Sequence, residues 1–266
     1  MIVERSRLSI QQFVDAWHVL CAAAPGHAFG SEQGVEFAFG AVPIPFFNAA
    51  ILTGDALTPD DLRALAERSR AWADPRGVPW LLVVTKEALA PGTDATTLLD
   101  ACGYAPAMTL YGMLAQRVGP VDRKPEGLEL KVADDDAACT AIIDVNSLAY
   151  AIPLGPANDI WGKAAFWKDH VEVLGSVAGQ PVSSAAVLKV AGHRYVALVA
   201  TAPGCQRRGY ADAAMRHALE VSRERFGDIP TFLHATEAGR PVYERMGYET
   251  VANHVAFMDK KFLGEH

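Results

Sequence analysis

The sequence of 266 residues has few cysteines, and none of them is placed for a metal site or a disulfide framework. The four are Cys21, Cys102, Cys139 and Cys205, and no two of them form a CxxC pair. Zinc sites and small disulfide-bonded domains usually show closely spaced cysteine pairs. The sequence therefore predicts no metal site and four incidental thiols in a reducing compartment.

The chain also lacks a long apolar run and a cluster of basic residues. No apolar stretch reaches the roughly 20 residues that a helix needs to cross a bilayer, and charges interrupt the N-terminal segment, unlike the apolar core of a signal peptide. The formal net charge is −7, and no group of Lys and Arg is large enough to follow a phosphate backbone. These absences predict a cytoplasmic protein that binds neither a membrane nor a nucleic acid.

Half of the residues are apolar and 21% are charged, which is typical of a folded globular protein. The length allows two domains. The segment "GPVDRKPEGLEL" at 119–130 is rich in Pro, Gly and charge, and it predicts a boundary between domains at 1–122 and 127–266. Each half is expected to run strand, helix, strand, helix, strand, with Gly103-Tyr104 matching Gly247-Tyr248. This order indicates a tandem repeat, although two unrelated α/β domains could share it by chance.

The stretch "QRRGYA" at 206–211 follows an apolar strand at 194–201 and precedes an amphipathic helix at 210–226. The free N–H groups and the dipole of a helix N-terminus attract anions. Gly209 allows a ligand to approach the backbone, and Arg207 and Arg208 add positive charge. The turn therefore predicts a phosphate or pyrophosphate site. It has neither GxGxxG spacing nor a Gly-Lys-Ser/Thr, so neither a dinucleotide nor a nucleoside triphosphate is indicated.

Two segments together resemble one enzyme family. "ATAPGCQRRGYADAAM" resembles motif A of the Gcn5-related N-acetyltransferases, and "ATEAGRPVYERMGYE" resembles their motif B, in the right order and separated by one helix and one strand. The resemblance covers about residues 171–258. It implies an α/β (α+β) fold of two tandem domains, each a mixed, mostly antiparallel central sheet flanked by helices. It also implies a cleft between splayed strands in the C-terminal domain.

The N-terminal half departs from the motif pattern of this family. At the equivalent place it has "AAILTGDALTPDDLRAL", without the motif A residues, and Asp60 and Asp61 stand at the helix N-terminus. Such carboxylates cap the helix themselves and repel a pyrophosphate. We therefore expect a degenerate copy that binds no coenzyme and that packs on the active half or helps to wall the acceptor site.

The resemblance implies acetyl-CoA as the donor and direct attack by an amine on its thioester. A backbone amide near Val199 would polarise the thioester oxygen, and Tyr243 falls on the family's general acid, although it could instead be a packed aromatic residue. The pantetheine arm would lie along the strand before the turn, and the pyrophosphate on the turn's amides. The residues implied in coenzyme binding are Val199, Ala200, Thr201, Gln206, Arg207, Arg208, Gly209, Tyr210 and Ala211.

The general base and the acceptor site are less well specified. His234 has a suitable unperturbed pKa, but a hydrogen-bonded core histidine is an equal alternative. Glu237, His170 and Glu172 are weaker candidates, which we expect to be ordinary surface or capping residues. The loop at 150–170 could bind a cationic acceptor through Tyr150, Trp161 and Asp159, or its rings could pack the two halves together.

The sequence thus predicts an acetyl-CoA-dependent N-acetyltransferase, a monomer or homodimer, acting on a small-molecule amine. One alternative is a non-catalytic protein that binds coenzyme A or a regulatory partner on the same scaffold. Another is an acyltransferase that uses a longer acyl group or a non-amine acceptor.

Overall fold

The computed structural model describes residues 2–120, 125–152 and 155–263. The α-helices of this part are α1 (Ile2–Ala22), α2 (Pro59–Ala73), α3 (Ala95–Ala101), α4 (Asp136–Tyr150), α5 (Gly155–Asn158), α6 (Ala164–Trp167), α7 (Tyr210–Phe226) and α8 (Arg240–Arg245). The strands are β1 (Ala28–Glu32), β2 (Val35–Phe39), β3 (Asn48–Leu52), β4 (Leu81–Thr85), β5 (Tyr104–Ala115), β6 (Leu128–Val132), β7 (Val171–Val177), β8 (Gln180–Val190), β9 (His193–Thr201), β10 (Thr231–Thr236) and β11 (Glu249–Asp259).

The chain forms two compact units that are not continuous in sequence. The first unit holds residues 1–113, 234–241 and 249–266, and the second holds 114–233 and 242–248. The last strand belongs to the first unit because β11 pairs with β4 over its second half, from His254 opposite Thr85 to Met258 opposite Leu81. The two units therefore do not correspond to a single boundary in the sequence. The tandem repeat of residues 1–122 and 127–266 stays a prediction.

The sheet of the first unit has the strand order β1-β2-β3-β4-β11-β5. Strands β3 and β4 are parallel, whereas β1 with β2, β2 with β3, and β4 with β11 are antiparallel. Helix α2 packs its buried Leu62 and Leu65 into the core of this unit. At the start of α2, the Thr58 hydroxyl accepts from the Asp61 N–H and the Asp61 carboxylate accepts from the Thr58 N–H. This capping box satisfies the helix terminus with the chain's own side chains.

The sheet of the second unit has the strand order β10-β9-β8-β7-β6. Only the β9–β10 pair is parallel; the remaining neighbours are antiparallel. Helices α4 and α7 pack on β7, β8 and β9. The order β9-α7-β10-α8-β11 repeats the order β3-α2-β4-α3-β5, as predicted from the sequence. The predicted mixed, mostly antiparallel sheet with flanking helices is confirmed.

Among the helices of the described segments, none combines the length and the apolar character needed to cross a membrane.

Candidate functional site

The turn between β9 and α7 leaves a row of backbone amides free. Gly209 is the N-cap of α7 in the left-handed conformation, with φ of 79°, and no side chain caps this helix. The first intrahelical bond runs from the Ala213 N–H to the Gly209 carbonyl at 3.0 Å. Across the described chain, no group accepts a hydrogen bond from the main-chain N–H groups of residues 207–212. Exposed, uncapped amides of this kind form an anion site.

The shape of the turn is fixed by its own side chains. The Gln206 Oε1 accepts from the Gly204 N–H at 3.2 Å, which fixes the middle of the turn. The ring of Tyr210 is buried with Leu128 and Val182, and this anchors the first residue of α7 in the core. Gln206 and the Tyr210 side chain therefore hold the turn, while the backbone amides remain available to a ligand.

An open cleft of about 900 Å³ lies over this turn, within the size range of small-molecule sites. Three arginines line it: the predicted Arg207 and Arg208, and Arg245 from α8, which lies outside the predicted site residues. Asp212 also faces the cleft, but its carboxylate is paired with the Arg216 Nε at 3.1 Å. The cleft therefore carries a surplus of positive charge. Its remaining lining residues are Pro125, Glu126, Thr201, Gly209, Tyr210, Ala211 and Val242.

Strand β9 contains a bulge shortly before the turn. Ser184 of β8 lies opposite Ala200, but Ala186 lies opposite Ala197, so β9 has one residue more than its partner over this interval. Leu198 has a φ of 50°, a left-handed conformation that is uncommon for a residue with a branched side chain. A bulge re-aims the backbone groups of a strand and often lies next to a functional site.

Side chains hold both carbonyl groups of the bulge. The Ser184 hydroxyl donates to the Leu198 carbonyl at 2.8 Å, and the Tyr150 hydroxyl donates to the Val199 carbonyl at 2.7 Å. In a trans peptide the N–H points away from the preceding C=O. Because the Leu198 carbonyl is held by the Ser184 hydroxyl, the Val199 N–H points away from Ser184.

Among the described residues, the edge of β9 away from β8 pairs with β10 only near its beginning. The parallel pairing with β10 joins Thr231 to Arg194 and Phe232 to Tyr195, and it does not continue to Leu233. The part of β9 that holds the bulge therefore has β8 as a partner on one side. A free strand edge of this kind can accept an extended ligand through backbone hydrogen bonds.

Tyr243 of α8 lies half-buried in the second unit. Its ring meets the ring of Tyr248 edge to face at 6.0 Å. Burial raises the pKa of the Tyr243 hydroxyl, and the neighbouring Tyr150 and Tyr248 raise it further. The hydroxyl therefore keeps its proton at neutral pH, as a proton donor must.

Residues 144–248 match the model of the acetyltransferase (GNAT) family. This part of the chain is a GNAT acetyltransferase domain. The match includes α7, the uncapped turn and Tyr243. The prediction of a GNAT-type acyltransferase is confirmed at the level of the family.

Solved structures of the same family share the fold. A GCN5-related N-acetyltransferase from Kribbella flavida is 19% identical, with a TM-score of 0.71 over 98% of this chain and 96% of its own. One from Sphaerobacter thermophilus is 16% identical, with a TM-score of 0.61 over 79% of this chain and 71% of its own. A tandem GNAT protein from the clavulanic acid biosynthesis pathway is 12% identical, with a TM-score of 0.54 over 94% of each chain. No curated protein sequence matches this chain.

His234, a predicted base in the GNAT domain, lies in the first unit. Its Nε2 is 3.1 Å from the Ser9 hydroxyl, and its ring stacks on Phe13 at 4.3 Å. Burial, and secondarily the neighbouring His254, hold the pKa of His234 well below its ordinary value. These contacts favour the alternative of a packed, neutral histidine.

His254 lies next to His234 and is fully buried in β11. Its Nε2 is 2.7 Å from the Ser9 hydroxyl, and its Nδ1 is 2.9 Å from the Thr85 hydroxyl. The backbone of Gly112 closes over this group, since a Cβ there would lie 1.9 Å from the Ser9 Oγ. Burial lowers the pKa of His254 from 6.5 to about 3. The folded chain therefore holds this imidazole neutral.

The buried His254 predicts a loss of stability in acid. Between pH 6.5 and about pH 3 the unfolded chain binds a proton at this residue and the folded chain does not. His254 therefore does not lower the free energy of unfolding above pH 6.5. Below pH 6.5 it lowers that free energy by at most about 1.4 kcal/mol per pH unit. We expect the denaturant midpoint to fall between about pH 7.5 and pH 5, and to fall less in His254→Gln. An equal fall in the variant would contradict the assignment.

The predicted acceptor residues differ in their exposure. Trp161 is only 1% exposed, so its ring packs inside the second unit and does not line an open site. Tyr150 is 47% exposed and its hydroxyl is on the Val199 carbonyl, while Asp159 is exposed. Residues 153 and 154 of this loop, like 121–124 of the predicted linker, lie outside the described residues.

Two further candidates are buried, contrary to the expectation of surface residues. His170 is 8% exposed and Glu172 is 1% exposed. The reason is that Glu172 lies on β7, which is an interior strand of the sheet between β6 and β8. Burial raises the pKa of Glu172 well above its ordinary value, next to the thiol of Cys139. Glu237, in contrast, is exposed, as expected.

Proposed function

We propose that this protein is an acetyl-CoA-dependent N-acetyltransferase whose acceptor is an amine of a small molecule. The observation that carries the proposal is the uncapped start of α7, where the main-chain N–H groups of residues 207–212 have no acceptor within the described chain. Uncapped amides beside three arginines suit a pyrophosphate. The GNAT match over residues 144–248 supports this choice of ligand.

Different residues around the turn are proposed to bind different parts of the coenzyme. In the proposal, the amides of residues 207–211 hold the pyrophosphate, with Gln206 keeping the turn in shape. Arg207, Arg208 and Arg245 neutralise its charge from two sides of the cleft. The edge of β9 at Val199, Ala200 and Thr201 pairs with the pantetheine arm. Arg245 is an addition to the residues implied by the sequence motifs.

The residues near the bulge carry the chemistry. When bound, acetyl-CoA supplies its acetyl group as a thioester, whose carbonyl carbon bonds to the acceptor nitrogen as the C–S bond breaks. The Val199 N–H donates a hydrogen bond toward the charge that develops on the carbonyl oxygen. Tyr243 donates its proton to the departing sulfur, and its raised pKa keeps that proton in place until then.

The acceptor side is proposed from charge and exposure. The half-exposed ring of Tyr150 and the exposed carboxylate of Asp159 suit a cationic amine. The net charge of −7 attracts a cation from a distance. The ammonium form of the acceptor loses one proton before the amine attacks. The nitrogen loses a second proton as the amide forms, and this proton restores the Tyr243 hydroxyl. We do not assign this deprotonation to His234, because its contacts are those of a packed residue.

The N-terminal half is proposed to bind no coenzyme. The amides at the start of α2 are already engaged by Thr58 and Asp61, in contrast to the free amides at the start of α7. Hydrogen bonds to Thr58 lower the pKa of Asp61, so its negative charge persists at neutral pH and repels an anion.

Transfer is tested with a panel of small primary amines and acetyl-CoA, by following the free thiol and by mass spectrometry of the amines. The proposal expects thiol release that depends on one class of amine, together with an acetylated product. If acetyl-CoA binds and no amine is acetylated, the alternative of a non-catalytic coenzyme A-binding protein is supported. Faster release of the free thiol from a longer acyl-CoA than from acetyl-CoA would favour the alternative of a longer acyl donor.

A further inference from the structure

We propose that Asn146, Ser184 and Tyr150 are positioning residues that aim the Val199 N–H at the thioester oxygen. The inference rests on the proposed function, because it concerns how the same site polarises its substrate. The three side chains form two hydrogen-bonded arms that end on the two carbonyl groups of the β9 bulge. None of the three needs to touch the reacting atoms.

The first arm is a buried chain of donors. The Asn146 Nδ2 donates to the Ser184 hydroxyl at 3.0 Å, and the Ser184 hydroxyl donates to the Leu198 carbonyl at 2.8 Å. Asn146 is 1% exposed and Ser184 is fully buried. Since each group donates in the same direction, every bond polarises the next. Asn146 is itself fixed by a second bond, from its Nδ2 to the Ile142 carbonyl at 2.8 Å.

The second arm comes from the same face of the same helix. Tyr150 follows Asn146 by four residues on α4, so the two side chains lie on one side of the helix. The Tyr150 hydroxyl donates to the Val199 carbonyl at 2.7 Å. Helix α4 therefore controls two consecutive peptide groups of β9, one through Ser184 and one directly.

The two arms fix the direction of the amide between the carbonyls. The Val199 N–H belongs to the same peptide as the Leu198 carbonyl and points away from it. With the carbonyl held toward Ser184, the N–H is presented to the edge of β9 where pairing with β10 has ended. Leu198 keeps a φ of 50°, a conformation that persists only where surrounding contacts hold it.

Asn146 is a polar residue at a core position that packing alone would fill with an apolar side chain. The Asn146 Oδ1 is buried and has no hydrogen-bond partner in the described residues. A buried polar atom without a partner is destabilising, and an apolar residue at position 146 would remove that penalty. Asn146 therefore lowers the free energy of unfolding, while its hydrogen bond to Ser184 helps to set the direction of one peptide group.

The proposal is tested by infrared spectroscopy of bound acetyl-CoA carrying ¹³C at the thioester carbonyl. A hydrogen bond to this oxygen lowers its stretching frequency, and the reading needs no acceptor amine. We expect the wild-type protein to shift the band to lower frequency, and Ser184→Ala and Tyr150→Phe to lose most of that shift. Calorimetry should show an affinity for acetyl-CoA within about 10-fold of the wild type in both variants, the cost of one lost hydrogen bond, whereas kcat should fall by up to about 100-fold.

Two further variants separate positioning from folding. Ser184→Thr keeps the hydroxyl and should retain the shift. Ser183→Ala removes an equally buried hydroxyl from the neighbouring position of β8, one that has no partner among the described residues, and should also retain it. Tyr150 is half-exposed, so Tyr150→Phe leaves the core intact.

Each result bears on the proposal separately. A shift that persists in both Ser184→Ala and Tyr150→Phe would overturn the positioning role and leave the proposed function standing. Bound acetyl-CoA without any shift in the wild type would refute the role of the Val199 amide while confirming coenzyme binding. Failure of the wild type to bind acetyl-CoA would remove the proposed function and this inference together.

Discussion

Gly209→Glu is expected to weaken acetyl-CoA binding by at least about 100-fold, equivalent to about 2.7 kcal/mol. Gly209 is exposed at the N-cap of α7, beside the free amides and the arginines of the cleft. A glutamate there would place its carboxylate where the pyrophosphate is proposed to bind. Its φ of 79° would also strain any residue that carries a Cβ. Isothermal titration calorimetry with acetyl-CoA gives the two dissociation constants.

Gly192→Glu provides a matched control for this experiment. Gly192 has a similar φ of 72° in the turn between β8 and β9, and no atom lies within 4 Å of a Cβ built there. The control therefore introduces the same charge and comparable backbone strain away from the proposed site. It should bind acetyl-CoA as the wild type does. Equal losses in both variants would show that strain or global charge, and not the anion site, determines the affinity.

Tyr243→Phe is expected to lower kcat by about 10²–10⁴-fold, the range of general acid catalysis, without changing the affinity for acetyl-CoA. The substitution removes the proton that the proposal sends to the departing sulfur and leaves the ring packed on Tyr248. Because the pKa of Tyr243 is raised, the wild-type rate should show no loss of this acid as the pH rises through neutrality. Steady-state rates with the acetylated amine give kcat and KM.

Tyr248→Phe removes a hydroxyl from the neighbouring ring and serves as the control. The Tyr248 hydroxyl is buried and lies 2.8 Å from the Thr231 hydroxyl. Its loss should cost about 1 kcal/mol of stability and leave kcat near the wild-type value. If Tyr243→Phe turns over at the wild-type rate, Tyr243 is a packed aromatic residue, and another group or water protonates the sulfur.

The turn between β9 and α7 was predictable because its signals are local in the sequence. A glycine and two arginines between a strand and an amphipathic helix specify free amides and positive charge without knowledge of the rest of the fold. The helix at residues 210–226 was therefore predicted with the bounds that the structure shows. The family resemblance then supplied the expected ligand and the identity of Tyr243.

The remaining residues of the site depend on contacts that are distant in the sequence. The sequence around Ser184 and Asn146 does not predict a hydrogen bond to the Leu198 carbonyl. That bond follows from the register of β8 and β9 and from the packing of α4. The burial of Glu172 was not predicted for the same reason. The residues of a strand do not by themselves show whether it lies inside a sheet or at its edge. The pairing of β11 with β4 likewise joins residues far apart in the chain.

A crystal structure of the wild-type protein with acetyl-CoA would show where the coenzyme binds and which groups contact its thioester. We expect the pyrophosphate on the backbone N–H groups of residues 207–211, with Arg245 beside it, and the thioester oxygen within hydrogen-bonding distance of the Val199 N–H. Acetyl-CoA bound elsewhere on the protein, or a turn that stays empty at saturating acetyl-CoA, would contradict it.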